Sequence, residues 1–470
     1  MPRSDLPNIV MVVLDTARWD RFGCYGYERP TTPAVDALAE EGLRVDTMIA
    51  NAPWTLPAHG SLFTGLYPSE HGSQWQTGPR LRDGVQLTMA EWLGGIGYET
   101  VCATSNGLIS KRTGLARGFE RYAFRLDLER GPKRVARQTR RLLFGGDSGG
   151  RIMNQWLRSE LRDVKKPMFL FVNYLECHWA YAPPLEFVKR VGGPRYSYLE
   201  GLNYRRTFAA KTGPWEAIAR ARQRDLEVYS TYYDGELANA DDHVRELEEI
   251  LTSTGHMRPD GSTVFIVTSD HGEHLGERGL ADHHADLDDL LLRVPFVAWG
   301  PGIVPSGVRG GISELVDVLP SLARLIDKEL PLPYLDGRRT DVLTSVENAD
   351  ENRYAVAEWR SWTPKERDRL HRRNPAYDFT GLARDLVCAR DGRFKLVRSG
   401  DRGETLFDLE SDPGETTDAA PLHPEAAARL RNELDSRIEQ WRPWEETGAA
   451  GTTEEERKEI EQRLSELGYI

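Results

Sequence analysis

A carboxylate, a hydroxyl and a carboxylate–imidazole pair lie at three separated points of the 470-residue sequence and could share one reaction centre. They are Asp15, Thr55 and the pair Asp270–His271. Oxygen ligands with one imidazole suit a divalent cation, and ligand type alone does not choose among Mn, Zn, Mg and Ca. Such a cation would lower the pKa of the threonine hydroxyl and bind the oxygen of an attacked ester. These residues therefore predict one divalent metal ion, with Thr55 as both ligand and nucleophile.

The segment around Thr55, NAPWTLPAHGSLFTGLYPSEHG (residues 51–72), predicts a helix that begins near this threonine. Pro53 and Pro57 disfavour helix just before them, and proline is common in the first turn of a helix. The free N–H groups and the dipole of a helix N-terminus favour an anion. A simpler interpretation, an N-cap threonine without a chemical role, applies to most threonines at such positions. The segment alone leaves both interpretations open.

Three apolar runs end where the polar candidates begin. The runs are NIVMVVLDT (8–16), PMFLFVNYLECHW (167–179) and STVFIVTSDHGE (262–273). Uninterrupted Val, Ile and Phe residues are typical of strands that are buried on both faces of a parallel sheet. Ligands of such sheets bind beyond the carboxyl ends of the strands, so the polar residues at these ends should converge on one edge.

The elements between and after these runs predict the fold. Helical patterns at 31–45, 87–97 and 229–251 alternate with the strands, which indicates a doubly wound α/β sheet. After about residue 340 short strands follow, with a hairpin signal at Asp391-Gly392.

Two helices are predicted near the C-terminus, an amphipathic one over 423–441 and a charged one over 453–470. We therefore expect a catalytic domain over residues 1–345 and a smaller α+β unit over 346–470.

Composition limits the partners. The net charge of −12 argues against general nucleic-acid binding, although the basic stretches 130–141 and 204–213 could flank a pocket for an anion. No apolar run approaches the ~20 residues of a membrane span, and the first run is too short for a signal peptide, so we expect a cytoplasmic protein. The cysteines are widely spaced and argue against a disulfide framework or a cysteine zinc site: Cys24, Cys102, Cys177 and Cys388.

Several motifs, in order and spacing, resemble the sulfatase family of the alkaline phosphatase superfamily over nearly the whole chain. They include NIVMVVLDTARWDRFGCYGY, TLPAHGSLFTGLYPSEHG, VTSDHGEHLGERG, LRVPFVAWGPG and LFDLESDPGETTDAA. The resemblance implies a large mixed, mainly parallel sheet sandwiched by helices, followed by a small antiparallel sheet with a helix. It also implies hydrolysis of sulfate or phosphate esters at one divalent metal.

The sequence departs from the family at its nucleophile. Thr55 stands where sulfatases carry the Cys or Ser that is oxidised to formylglycine, and threonine cannot form that aldehyde. A formylglycine hydrate releases sulfate by elimination from its own carbon, a route that a threonine sulfate lacks. A threonine phosphate can be attacked again at phosphorus, and phosphodiesterases and phosphotransferases of this superfamily use threonine nucleophiles. The resemblance thus predicts a sulfatase fold, and Thr55 predicts phosphoester chemistry.

The resemblance also suggests which histidines act on the leaving group. His178 matches a histidine that contacts the leaving oxygen of the ester. The family's later Lys-His pair is replaced by DHHAD, so His283 or His284 would protonate the leaving group or contact the oxyanion. The sequence does not choose between these two.

Substitutions elsewhere in the motifs make the expected pocket less positive. His59 replaces an arginine, Ser105-Asn106 replaces a Lys-Trp pair, and Thr16 replaces a second metal-binding acid. Asn106 could still donate to a phosphoryl oxygen, and His59 is a further candidate for binding substrate. A less positive pocket suits the single charge of a phosphodiester better than a monoester.

Two alternatives stay open at this point. One is a true sulfatase, or an enzyme for sulfamate or phosphonate esters, that uses Thr55 without modification. The other is a degenerate relative that binds an anion and does no chemistry; the retained acids, His271 and Thr55 argue against it. The expected partner is a small anionic ester, and the sequence does not predict the oligomeric state.

Overall fold

The computed structural model describes residues 6–74, 80–82, 87–128, 145–165, 167–192, 214–258, 261–331, 339–347, 353–375, 377–400 and 402–440. Three predicted features lie outside the described residues: the basic stretch 130–141, the basic stretch 204–213 and the charged helix 453–470.

A nine-stranded mixed sheet forms the centre of the fold. Its strands are β1 (Asn8–Leu14), β2 (Leu43–Ile49), β3 (Glu99–Thr104), β4 (Arg121–Phe124), β5 (Met168–Tyr174), β6 (Thr263–Thr268), β9 (Arg293–Val294), β10 (Phe296–Trp299) and β11 (Gly307–Glu314), and the hairpin β7 (His274–Leu275) and β8 (Ala281–Asp282) lies apart from it. The order is β11-β2-β10-β6-β1-β5-β3-β4, with β9 beside β2. Strand β10 runs antiparallel to both of its neighbours, whereas β6, β1, β5, β3 and β4 are parallel.

The three apolar runs of the sequence form the adjacent parallel strands β6, β1 and β5. Val12 of β1 lies opposite Val172 on one side and Val267 on the other. Apart from Asn8 at the start of β1, all residues of these strands are buried, as expected for a sheet covered on both faces. The predicted meeting of their carboxyl ends at one edge is confirmed.

Helices flank the sheet. They are α1 (Pro33–Glu41), α2 (Thr55–Thr64), α3 (Pro68–His71), α4 (Met89–Gly95), α5 (Arg125–Leu128), α6 (Gly150–Glu160), α7 (Leu185–Arg190), α8 (Pro214–Ala219), α9 (Gln223–Ser253), α10 (Asp289–Leu292), α11 (Val318–Leu325), α12 (Pro364–Arg373) and α13 (Pro424–Gln440). Helices α1, α6 and α7 pack on α9, and α3, α4 and α11 pack on α2.

The predicted helix over 31–45 is too long, because the chain turns into strand β2 at Leu43. Gly42 separates the two elements. A Cβ at this position would lie 2.4 Å from the carbonyl oxygen of Ala298, so the close approach of strand β10 ends the helix there.

The C-terminal unit is a four-stranded antiparallel sheet with one long helix. Its strands follow each other in the order β12 (Ala355–Trp359), β13 (Leu386–Arg390), β14 (Phe394–Ser399) and β15 (Gly403–Asp408), and α13 packs on β13 and β14. The carboxylate of Asp391 accepts hydrogen bonds from the N–H groups of Arg393 and Phe394, which forms the predicted hairpin turn. The α/β architecture is therefore confirmed. The boundary between residues 345 and 346 stays a prediction, because Trp359 and Leu386 belong to the main hydrophobic core.

Within the part of the chain that the structure describes, no helix has both the length and the apolar character that a membrane span needs. All four cysteines are free thiols, as the sequence predicts.

Candidate active site

Two carboxylates and an imidazole meet where strands β1 and β6 end. Asp15 directly follows β1, and Asp270 and His271 follow β6 by two and three residues. One ligand atom from each of the three residues lies within 4.8 Å of the other two, and all three side chains are fully buried. The edge of the parallel sheet thus brings together residues that are about 255 positions apart in sequence.

Hydrogen bonds to its backbone and to one oxygen of its carboxylate hold Asp15 in place. Its backbone N–H donates to the carbonyl oxygen of Tyr174, and its Oδ2 accepts hydrogen bonds from Asn106 Nδ2 at 2.9 Å and Asn173 Nδ2 at 3.0 Å. The other oxygen, Oδ1, is buried and has no hydrogen-bond partner among the described residues.

Asp270 and His271 are oriented by backbone groups. Asp270 Oδ1 accepts from the N–H groups of Thr16 and His271. His271 Nδ1 lies 2.9 Å from the carbonyl oxygen of Gly272, which can only accept, so Nδ1 carries the hydrogen and Nε2 faces the carboxylates. A Cβ at Gly272 would lie 1.9 Å from the carbonyl oxygen of Leu290, so only glycine permits this approach.

The two carboxylates are kept different by their surroundings. Burial, together with the nearby charge of Asp270, raises the pKa of Asp15 from 3.8 to about 6. Burial alone would also raise the pKa of Asp270, but the charge and hydrogen bond of His271, with His59, hold that pKa well below its usual range.

These residues fit a divalent cation. Asp15 Oδ1 is buried without a hydrogen-bond partner in the described part of the chain, and the buried Asp270 Oδ2 lies 3.2 Å from His271 Nε2 and 3.3 Å from His59 Nδ1. Buried carboxylate oxygens without partners are costly unless a ligand meets them. Two carboxylate oxygens and one imidazole nitrogen facing each other are the ligand set that the sequence predicted.

Thr55 is the first residue of helix α2 and is fully buried beside these ligands. Its Oγ1 lies 3.3 Å from His271 Nε2 and 3.5 Å from Asn106 Nδ2. The prediction of a helix that begins near this threonine is confirmed. The N-cap interpretation is wrong, because the N-cap position is occupied by Trp54, which has extended backbone angles.

His59 lies one turn further along α2 than Thr55 and contacts the carboxylate of Asp270. Its Nδ1 is 2.9 Å from the carbonyl oxygen of Thr55 and 3.3 Å from Asp270 Oδ2. Burial lowers its pKa, but the hydrogen bond and charge of Asp270 raise it above the ordinary histidine value. His59 therefore places an imidazole beside Asp270 Oδ2, and its predicted role in substrate binding stays a prediction.

The three further histidine candidates form one cluster next to His271. The ring of His283 lies 4.4 Å from that of His271, 4.4 Å from that of His284 and 5.2 Å from that of His178, measured between ring centroids. The structure thus brings all the candidate residues of the sequence to one place.

Different partners hold the histidines of this cluster. His178 Nδ1 lies 2.7 Å from the carbonyl oxygen of Trp179. His283 Nδ1 lies 2.9 Å from Asp282 Oδ1 and 3.3 Å from Glu273 Oε1, and His284 Nδ1 lies 3.3 Å from Asp282 Oδ1.

The electrostatic surroundings separate the three imidazoles. Burial lowers the pKa of His178 to about 3 and that of His284 to about 4. Burial also acts against charge on His283, but the carboxylates of Asp282 and Glu273 raise its pKa to about 10. A neutral and a charged imidazole are thereby available side by side.

Three polar residues of the site were not singled out in the sequence: Asn173, Glu273 and Asp282. Asn173 is an amide within the otherwise apolar and aromatic strand β5, MFLFVNY, and its Nδ2 donates to Asp15. An amide in a buried strand indicates a polar partner, so this residue could have been found from the sequence. Glu273 and Asp282 carried no comparable signal, because their pairing with His283 depends on the β7–β8 hairpin.

The chain is similar to known proteins in sequence and in fold. A protein-family model described as Sulfatase matches residues 7–328. The chain is 24% identical over 428 residues to the ulvan-active sulfatase of Formosa agariphila, which covers 88% of this chain and 75% of that protein. It is 24% identical over 469 residues to a low-salt glycan biosynthesis sulfotransferase of Haloferax volcanii, with 98% and 91% covered. The structure of a phosphonate monoester hydrolase of Agrobacterium radiobacter has a similar fold, with a TM-score of 0.67, 20% identity and 93% and 96% covered.

Proposed function

The chain belongs to the sulfatase family and is a hydrolase that acts on ester bonds, and we propose that it cleaves or transfers phosphoesters, phosphodiesters above all, through a covalent bond to Thr55. The observation that carries the proposal is the place of Thr55. Its hydroxyl is buried at the start of α2, 3.3 Å from His271 Nε2. A threonine can release a phosphoryl group by a second attack at phosphorus, but it cannot release sulfate by the formylglycine route.

The proposal includes one divalent cation held by Asp15, Asp270, His271 and Thr55. When bound, the cation would favour the ionised threonine hydroxyl and offset negative charge on the attacked phosphoryl group. The other contributions come from the protein itself. The free N–H groups at the start of α2 favour an anion, and Asn106 Nδ2, between Asp15 and Thr55, can donate to a phosphoryl oxygen.

In the first half of the reaction, Thr55 Oγ1 forms a bond to phosphorus while the bond to the leaving alkoxide breaks. The leaving oxygen needs a proton, and we assign this role to His283. Its Nδ1 is oriented by Asp282 and Glu273, two acceptors that stabilise a ring with hydrogen on both nitrogens. His178 is less suited, because its Nδ1 hydrogen donates to the carbonyl oxygen of Trp179, which leaves its Nε2 without a hydrogen in the neutral ring.

In the second half, water or an acceptor alcohol attacks phosphorus of the phosphothreonine. The proton of the attacking water or alcohol passes to His283, which gave its own to the leaving group, and the bond between phosphorus and Thr55 Oγ1 breaks to restore the ionised threonine with which the reaction began. Water gives hydrolysis, and an alcohol gives transfer of the phosphoryl group.

A cavity of about 560 Å³, lined by residues that follow β1, by the start of α9 and by residues of the β7 region, is our candidate for the rest of the substrate. Its lining includes Arg21, Arg29, Glu227, Leu275 and Glu277. Arg21 and Arg29 share the single buried carboxylate of Asp234, and Glu277 is paired with Arg18. Although Glu227 and Glu277 also line the cavity, we propose that the two guanidinium groups bind an acidic group on the non-reacting part of the substrate.

A second candidate is a true sulfatase that uses unmodified Thr55. It is favoured by the family match and by the sulfatases among the relatives. The same assay separates the two candidates, because they differ in the ester that is cleaved.

The test uses bis-(p-nitrophenyl) phosphate, p-nitrophenyl phosphate and p-nitrophenyl sulfate, with Mn, Zn, Ca or Mg added in turn. We expect metal-dependent cleavage of the diester and, by analogy with removal of other nucleophiles, a loss of about 10³-fold or more in kcat for Thr55→Val. Thr64→Val on the same helix is the matched control, since Thr64 is also buried but donates to the carbonyl oxygen of Gly60. Mass spectrometry of acid-quenched protein should find phosphate on the peptide that contains Thr55.

Three outcomes would overturn the proposal. Full activity of Thr55→Val would exclude the nucleophile. Faster cleavage of the sulfate than of the diester would favour the second candidate. A folded wild type that cleaves none of the three esters with any metal would favour a relative without this chemistry.

A further inference from the structure

The segment that carries His283 and His284 has an unusual backbone. Asp282 and Ala285, which bracket the two histidines, have φ values of 66° and 68°, in the left-handed region that residues other than glycine rarely adopt. Such conformations persist only where the surrounding structure holds them in place. The contacts at the two ends of this histidine segment, residues 282–289, therefore decide where its imidazoles point.

The catalytic unit holds the start of the histidine segment. Asp282 pairs with His274 in the β7–β8 hairpin, and its carboxylate contacts both His283 and His284. Near the other end, Asp288 Oδ2 lies 2.8 Å from His274 Nε2.

The C-terminal sheet holds the end of the segment through one buried lysine. Lys395 on β14 is fully buried, and its Nζ donates to the carbonyl oxygen of Leu287 at 2.9 Å and to Asp289 Oδ1 at 3.0 Å. Its third neighbour is Glu415 Oε2 at 2.6 Å. The three donors of the ammonium group thus have three acceptors, and two of them belong to the histidine segment.

Two further contacts join Asp289 to the C-terminal unit. The N–H of Asp289 donates to Glu415 Oε1 at 2.7 Å, and Asp289 Oδ2 lies 2.9 Å from Arg390 NH1. Lys395, Arg390 and Glu415 all come from the C-terminal unit. This unit therefore contacts the histidine segment from four residues after His283 onward, through the buried ions Lys395 and Glu415 and through Asp289, whose side chain is 15% exposed.

We propose that Lys395 is a positioning residue, which holds Leu287 and Asp289 and thereby fixes His283 for proton transfer to the leaving group. The proposal rests on the proposed function for its kinetic consequence, but not for its structural one. It also gives the C-terminal sheet a role in the reaction, since no residue of that sheet was among the candidates for chemistry.

The test needs a variant that removes the hydrogen bonds from Lys395 to the histidine segment without leaving a buried charge unpaired. Lys395→Met alone leaves the carboxylates of Asp289 and Glu415 close together in the interior and is expected to fold poorly. The double variant Lys395→Met/Glu415→Gln removes one charge of each sign and is the main probe. Arg398→Met is the matched control, because Arg398 is on the same strand but its ion pairs among the described residues, with Glu404 and Asp435, lie within the C-terminal unit.

The kinetic readout is the dependence on leaving group. A p-nitrophenolate leaves without much help from an acid, whereas a phenolate or an alkoxide needs it. For the double variant we expect kcat/KM to fall about tenfold or more with a phenyl or alkyl diester, a fraction of what a general acid contributes, and less than about threefold with the p-nitrophenyl diester. Arg398→Met should lower both equally or not at all. Equal losses for both substrates in the double variant would reduce Lys395 to a structural residue and overturn the proposal.

A second readout does not depend on activity. Amide hydrogen exchange of the peptide that spans residues 281–290 should become faster in the double variant than in the wild type and in Arg398→Met, with exchange of β1 and β5 unchanged. Unchanged exchange in this peptide would also overturn the proposal. If the wild type cleaves sulfate esters instead of phosphodiesters, aryl and alkyl sulfates replace the diesters, so failure of the proposed function and failure of this inference are distinguished.

Discussion

The metal-free protein should be destabilised by its own ligand residues, and Asp15→Asn should relieve this. Asp15 is buried, its Oδ1 has no hydrogen-bond partner among the described residues, and its pKa is raised from 3.8 to about 6. A shift of about two units corresponds to about 3 kcal/mol, at roughly 1.4 kcal/mol for each unit. An asparagine at this position can still accept the hydrogen bonds from Asn106 and Asn173, and its amide would place a donor near Asp270.

The sign of the pH dependence follows from the direction of the shift. An acid whose pKa is higher in the folded than in the unfolded protein binds its proton more tightly when folded. Its contribution to stability is therefore full below about pH 4 and is lost as the pH rises through about 6. In the presence of a chelator, Asp15→Asn should exceed the wild type in free energy of unfolding by up to about 3 kcal/mol at pH 8, and by little at pH 4.

The assay is urea unfolding at both pH values, with and without Mn or Ca. A metal ion at 100 times its dissociation constant should stabilise the wild type by about 2.7 kcal/mol and Asp15→Asn much less. Asp241→Asn is the matched control. Asp241 is buried with a pKa raised by burial to about 7, but it accepts from the N–H groups of Ala34 and Val35 at the start of α1. A metal ion should stabilise Asp241→Asn as much as the wild type. Equal metal effects on Asp15→Asn and the wild type would refute the ligand role of Asp15.

Two further predictions concern helix α2 and the cavity lined by Arg21 and Arg29. Gly60→Ala would place a Cβ 2.6 Å from the ring of His71, which is buried and lies 3.1 Å from the carbonyl oxygen of Pro57. We expect a loss of about 1–3 kcal/mol in free energy of unfolding, measured with urea, and a lower kcat because α2 carries the nucleophile. Arg29→Gln should raise KM about tenfold for diesters that carry a remote carboxylate, since a hydrogen bond to a charged group contributes about 1.5–3 kcal/mol. The KM of diesters without such a carboxylate should not change. Equal KM changes for both kinds of diester in steady-state assays would argue against an anion subsite in the cavity.

The strands at the centre of the fold could be predicted from the sequence because each has a local pattern of residues. Uninterrupted apolar runs predicted β1, β5 and β6, and the polar residues at their ends predicted which side chains would meet. The pattern was misleading at Leu43, where a helical period continues into strand β2. A local signal for the helix end was available, because Gly42 directly follows the last helical residue, Glu41. The contact that leaves no room for a side chain there, with Ala298 of strand β10, comes from 256 positions later and has no local signature.

Side-chain roles that depend on tertiary contacts could not be predicted in the same way. Lys395 lies in the segment DGRFKLVRS, where a lysine on a short strand suggests an exposed position. Its burial results from the packing of β14 against the histidine segment, more than 100 residues earlier in the chain. The choice between His283 and His284 likewise required the position of Glu273, which the β7–β8 hairpin determines.

Two pairs of carboxylates differ in a way that bears on the cation. In the pair Asp289 and Glu415, each of the four oxygens has a lysine, an arginine or a backbone N–H within 3.0 Å. In the pair Asp15 and Asp270, one oxygen of each residue accepts no hydrogen bond from the described residues. A buried carboxylate oxygen without a hydrogen-bond partner costs free energy of folding. The first pair has Lys395 and Arg390 as its cations, whereas the second has imidazoles beside Asp270 Oδ2 and no donor at Asp15 Oδ1 among the described residues, so the second pair is the one suited to an external cation.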